Sequence, residues 1–254
     1  MEDVPSNGGA GAENFNSEQI YKVFGECPHS NDPDVAWRIH HLRFVGWSLM
    51  LWSSSAAFTL PERSEMLKFY FSPLTSSLAT HIALLECGAD YELCPTLMSK
   101  KETRAPAYLA INPNGKVPAL VTDSGRVITE VAATLYYLAR AFPDAALWPE
   151  GDLEAEAEVI SWMSFTASTV HGARVGGAKA FAEAFEIANT KLGDRQWAIG
   201  RFTIADIHLF RVYWRFRPTM DAPLGTYPAL ESHHERMLAR PTVQKAMEIE
   251  KKYS

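Results

Sequence analysis

The chain has no basic block. Its net charge of −6 is spread over 254 residues. A phosphate-binding surface needs concentrated Lys and Arg, so nucleic acid is disfavoured as a partner. Cysteine is scarce as well: Cys27, Cys87 and Cys94, with no CxxC spacing. An odd number of scattered thiols is neither a disulfide framework nor a zinc site, and reads as incidental or buried thiols in a reducing, cytoplasmic compartment. No phosphate loop and no second set of metal ligands suggests another chemistry. No basic-then-apolar leader opens the sequence. The longest apolar run, Phe44 to Leu60, is slightly short for a membrane span and is interrupted by Ser. What remains is ordinary globular material, 47% hydrophobic and 21% charged, too apolar for a disordered chain.

The organisation changes near Met66. Residues 1–65 read as an extension, and its first thirty or so positions are rich in Gly, Asn, Ser, Glu and Pro without a sustained period. Val35 to Leu51 has the spacing of one helix. From Met66 the pattern becomes regular. Leu67–Phe71, Tyr91–Cys94, Val117–Val121 and Val127–Ile128 read as strands, and Ser77–Cys87 and Glu130–Ala141 as helices. With a weakly helical stretch before residue 110, the order is β-α-β-α-β-β-α, which implies a mixed sheet covered by helices. Beyond the Pro- and Gly-rich 142–152 segment almost everything is helical. Leu153–Val170 carries Ile160, Met163 and Val170 at helical intervals, and Lys179–Lys191, Ile204–Arg215 and Pro228–Ala239 follow. The domains expected are therefore an α/β unit over 66–143 and an all-α unit over 152–254.

Three segments can carry chemistry. In Asn112-Pro113-Asn114-Gly115-Lys116-Val117-Pro118, a Pro directly before a strand suits either a cis bond that turns the Val117 backbone outward, or a plain turn into an edge strand. In Ser72-Pro73-Leu74-Thr75-Ser76-Ser77, hydroxyls stand at a helix N-terminus. There they either cap the helix or hold down the pKa of a thiolate. Thr129-Glu130-Val131 opens another helix, where an anion is favoured. His171 ends an apolar stripe, as a packing residue or one facing a cleft. Thr203-x-x-Asp206 has capping-box spacing, a folding signal rather than a chemical one.

These segments resemble the glutathione transferase family. The NP-x-G-x-VP signature stands in NPNGKVP, with FYFSPLTSSLATHIAL before it, DSGRVITEVAATLYYLA after it, and GRFTIAD in the second half. Residues 77–84 look most like the bacterial beta class and its fungal relatives. The resemblance implies a thioredoxin-like glutathione-binding domain, then a helical domain. It also implies that Val117 pairs with the cysteinyl part of glutathione, that Pro118 is cis, and that Glu130 and position 131 hold the γ-glutamyl group. By the same likeness Lys116 reaches the glycine carboxylate. Ser76 falls where the beta class carries Cys, and His171 faces the cleft.

The implied reaction is attack of the glutathione thiolate on a small hydrophobic electrophile, as conjugation or glutathione-assisted isomerisation, in a homodimer. Two departures stand out. Val131 replaces the usual Ser, and the segment from His171 to Thr203 is shorter than usual, as though a helix and loop were trimmed. An extended, trimmed member resembles proteins of fungal secondary-metabolite pathways. The alternative is a non-catalytic binding protein that keeps the fold.

Overall fold

The computed structural model describes residues 66–254. The helix expected over Val35–Leu51, the apolar run Phe44–Leu60 and Cys27 lie outside the described residues.

Four strands form one sheet: β1 (Leu67–Phe71), β2 (Tyr91–Pro95), β3 (Ala119–Val121) and β4 (Val127–Thr129). The spatial order is β2-β1-β3-β4. β1 and β2 run parallel, with Leu67 opposite Tyr91, whereas β3 lies antiparallel to both β1 and β4. A parallel pair needs a crossover, and α1 (Ser77–Glu86) supplies it. Between β2 and β3 the chain makes two 3₁₀ turns and the one-turn helix α2 (Pro106–Leu109). After β4 comes α3 (Val131–Ala141). The β-α-β-α-β-β-α order is the one expected, and it is thioredoxin-like.

The second half is helical: α4 (Leu153–Phe165), α5 (Gly177–Leu192), α6 (Ile204–Phe216), α7 (Pro228–Leu238) and α8 (Pro241–Lys251). One apolar core runs from Phe69, Leu78 and Ile82 of the α/β half to Trp162, Phe185 and Phe210 of the helical half. α6 is its axis, with ten consecutive residues from Ile204 to Tyr213 buried. The expected capping box starts it. The Ala205 N–H donates to Thr203 Oγ1, and the Thr203 N–H donates to Asp206 Oδ2 at 2.9 Å. Asp206 also accepts from the Ala198 N–H and lies 3.1 Å from His233 Nε2, so it is satisfied structurally. No helix among the described residues is long and apolar enough to cross a membrane.

Four local readings are corrected. Strand β3 begins two residues late, because Val117 and Pro118 form the turn that enters it. Helix α3 begins at Val131, since Glu130 has φ +69°, outside helical space. Ile160 is 57% exposed; the buried stripe of α4 is Val159, Trp162 and Met163, one position over, and residues 166–170 widen into a π turn. Helix α8 has no counterpart in the sequence reading. Its buried positions are Val243, Ala246 and Glu250, and a buried glutamate breaks the apolar pattern by which such a helix is recognised.

Candidate functional site

The loop ahead of β3 is organised by buried side chains. Asn112 is 3% exposed. Its Nδ2 donates to the Lys116 carbonyl at 2.7 Å, its Oδ1 accepts from the Asn114 N–H, and its own carbonyl accepts from Gly115. The Tyr108 hydroxyl donates to the same Lys116 carbonyl at 2.6 Å. Gly115 sits at φ +58°, and a Cβ there would meet the Thr103 carbonyl at 2.8 Å, so the position is closed to other residues. The loop ends in the cis Val117–Pro118 bond. The Lys116 ammonium is exposed beside it.

The first turn faces this loop. The hydroxyls of Thr75, Ser76 and Ser77 divide between two acceptors. Ser77 Oγ is fully buried and donates to the Ser72 carbonyl at 3.0 Å. Thr75 Oγ1 donates to the same carbonyl at 2.8 Å. Only Ser76 points across, donating to the Val117 carbonyl at 2.8 Å. Ser76 is not a helix cap: it has helical dihedrals and no side-chain cap bond. Tyr70, in β1, packs on the Tyr108 ring at 5.8 Å and lies outside the turn.

The helical half grips this turn at two adjacent backbone groups. The Leu74 N–H donates to Glu250 Oε2 at 2.6 Å, and Arg211 Nε donates to the Thr75 carbonyl at 3.1 Å. Leu74 has φ +55°, an unfavourable conformation for a branched side chain, held from outside the turn. Glu250 Oε1 lies 2.9 Å from His81 Nδ1, and His81 Nε2 lies 2.9 Å from the Tyr91 hydroxyl. His81 and Glu250 are both fully buried.

At the start of α3, the Glu130 carboxylate is exposed and caps nothing. The first α3 N–H groups are free of side-chain acceptors, the general condition for receiving an anion. Thr134 cannot stand in for the missing Ser at 131. It is fully buried, with its hydroxyl 2.7 Å from Thr80 Oγ1 and donating to the Val131 carbonyl.

The facing wall comes from the helical half. His171 follows the π turn and lies against Phe216, ring centroids 5.8 Å apart. Burial, then the charges of Arg211, Arg174 and Lys116, push its pKa down to about 4. Lys116 is thus near enough to act on His171, although they are 55 positions apart. His208, buried on α6, is pushed down to about 3 by burial and by Arg211 and His171. A separate cavity of about 430 Å³, lined by Tyr213, Arg217, Met220 and His234 among others, contains none of the candidate residues.

The sequence profile of the glutathione S-transferase N-terminal domain matches residues 75–141, and that of the C-terminal domain matches residues 177–241. Glutathione S-transferase GstA of Escherichia coli O157:H7 is 32% identical over 207 residues, covering 72% of this chain and 98% of that protein. The chain belongs to the glutathione S-transferase family. This transferase is also similar to the solved beta-class glutathione S-transferase of Sphingomonas chungbukensis, at 35% identity and TM-score 0.65, covering 72% of this chain and 98% of that one. A sphingomonad glutathione S-transferase complexed with glutathione is 33% identical, with TM-score 0.65 and the same coverage.

In this transferase Ser76, Lys116, Val117 and Pro118 come together, and Lys116 is among the charges that lower the pKa of His171. Glu130 and Val131 stand at the start of α3, beyond β4. The sequence reading missed Arg211, Glu250 and His81. All three are charged or polar residues inside helices, and nothing local distinguishes them from solvated positions. Free Cys87 has its thiol pushed up to about 12, chiefly by burial, in keeping with an incidental thiol.

Proposed function

We propose that this transferase binds glutathione at Ser76, Lys116, Val117, Pro118, Glu130 and Val131, and directs its thiolate at a small hydrophobic electrophile held by the helical wall with His171. Residues 66–143 serve as the glutathione-binding domain and 152–254 as the substrate domain. The observation that carries the reading is the bond from Ser76 to the Val117 carbonyl. A serine hydroxyl has one proton, and here it is committed to that carbonyl. A bound peptide whose N–H takes the Val117 carbonyl as a strand competes with Ser76 for that acceptor, and Ser76 turns to donate elsewhere. The free proton then lies at the N-terminus of α1, where negative charge on sulfur is favoured. Ligand binding and thiolate stabilisation are coupled by one hydroxyl.

The other residues supply the ends. The exposed Glu130 carboxylate suits the amino group of the γ-glutamyl moiety, and the first N–H groups of α3 suit its carboxylate. Lys116 suits the carboxylate at the other end. Val131 gives no hydroxyl, so one bond to a charged group is missing, worth about 1.5–3 kcal/mol. His171, held neutral, is available as a hydrogen-bond donor rather than a cation. Conjugation and isomerisation share this thiolate; they differ in whether glutathione leaves with the product. A place in a fungal secondary-metabolite pathway rests on resemblance alone.

The test is retention on immobilised glutathione, together with the ultraviolet absorbance of a thiolate on mixing. Retention with thiolate absorbance supports the reading. Retention without it favours a binding protein that keeps the fold, and the absence of both signals overturns the proposal. Light scattering checks the homodimer expected of the family.

A further inference from the structure

Arg211 sits in the middle of α6 and is 4% exposed. A guanidinium withdrawn from water is costly to keep unless an anion accompanies it. Among the described residues no carboxylate forms an ion pair with Arg211. Glu250 acts on it from farther away, and both Glu250 oxygens are engaged, by His81 and by the Leu74 N–H. Arg211 commits only Nε to the protein, on the Thr75 carbonyl next to Ser76. Its two terminal nitrogens make no hydrogen bond with the described residues.

Apart from Glu250, the surroundings add positive charge. Arg215 acts on Arg211, and Arg174 and Lys116 join Arg211 in acting on His171. The chain as a whole carries −6, so this concentration runs against its average. The charge is set beside an aromatic cluster. The Phe216 ring lies 5.9 Å from the Arg211 guanidinium carbon and 5.8 Å from the His171 ring, and stacks on Phe181 at 4.4 Å.

We infer that the electrophile taken at this wall carries a carboxylate on a flat unsaturated body, and that Arg211 is the specificity-determining residue supplying its counter-charge. The inference rests on the glutathione reading of Ser76 and Val117. It narrows a hydrophobic electrophile to an anionic one with its ring against Phe216.

The test compares 4-chloro-3-nitrobenzoate with 4-chloro-3-nitrobenzamide, which share ring, leaving group and size and differ in charge. In both, the glutathione sulfur forms a C–S bond at the chlorine-bearing carbon. Chloride departs with the C–Cl electron pair, and the thiol proton passes to solvent. The full chain is assayed with glutathione, and the binding of each compound to the glutathione-loaded protein is measured by tryptophan fluorescence.

The expected result is a preference for the benzoate of about tenfold or more in kcat/KM and in binding, beyond the ratio of the uncatalysed reactions. Arg211→Met abolishes that preference and Arg211→Lys keeps part of it, which guards against a variant that merely fails to fold. Equal handling of the two compounds overturns the inference while leaving glutathione binding intact. So does an Arg211→Met variant that keeps the preference but binds glutathione more weakly, since the charge would then serve glutathione. Absence of glutathione binding in the wild type removes the underlying reading as well, and is distinguished by that measurement alone.

Discussion

The Ser76 hydroxyl donates to the Val117 carbonyl over 2.8 Å, tying the turn ahead of α1 to the loop ahead of β3. Removing that hydroxyl separates its structural part from its chemical part. Ser76→Ala leaves a carbonyl that a ligand N–H or water can satisfy, so stability changes by only about 1 kcal/mol. The thiolate loses its donor, and kcat/KM falls by about tenfold to a hundredfold. Denaturant unfolding beside steady-state kinetics checks both. An unchanged kcat/KM would assign the donor role to another group.

Val131→Ser restores a hydroxyl at the start of α3. The added bond to a charged carboxylate is worth about 1.5–3 kcal/mol, so glutathione binds roughly tenfold to a hundredfold more tightly. Calorimetric titration of both proteins reads this directly. Equal affinities would mean that the γ-glutamyl carboxylate does not lie at position 131.

Glu250 reaches the first turn from α8, 176 positions away. Glu250→Ala strips the Leu74 N–H and His81 of their acceptor, each buried group costing about 1–3 kcal/mol when left unpaired. The midpoint in urea should fall by a corresponding amount, and Glu250→Gln should recover part of it. If Glu250→Ala unfolds like the wild type, the turn does not depend on α8.

Three histidines are held neutral, His208 buried and His171 and His234 half-buried: His171 and His234 have pKa near 4 and His208 near 3, each lowered chiefly by withdrawal from water. The ordinary value is 6.5. Above about pH 6.5 the folded and unfolded chains both hold these rings neutral, and they contribute no pH dependence. Below it the unfolded chain takes up protons that the folded chain refuses, so stability falls as the pH drops from about 6.5 towards 4. His208→Phe should flatten part of that fall. Thermal unfolding across the range tests it, and an equally steep fall in the variant would contradict the assignment.

The fold was legible because its signals are local. Alternation in Leu67–Phe71, the spacing of Leu78, Ile82 and Leu85, and the Asn- and Gly-rich loop before Val117 each announce their element within a few residues. The site was legible where a motif is contiguous, as in NPNGKVP. It was not legible where the α/β half is gripped from the helical half. Arg211, His81 and Glu250 interrupt apolar or polar faces of their helices. Their burial is set by partners more than a hundred positions away, apart from the contact of His81 with Tyr91. Glu130 at φ +69° and Ile160 facing outward show the same limit in smaller form, because periodicity fixes a stripe only to within a residue.

The central claim is that binding at Val117 frees the Ser76 hydroxyl for the sulfur of glutathione. The measurement closest to it is the pKa of the bound glutathione thiol, followed by ultraviolet absorbance as pH is varied, in the wild type and in Ser76→Ala. The account predicts a wild-type value at least about one pH unit below that of an ordinary thiol, near 8.5, and a return towards it in Ser76→Ala. Glutathione that binds with an unshifted thiol, or a shift that survives Ser76→Ala, would contradict it.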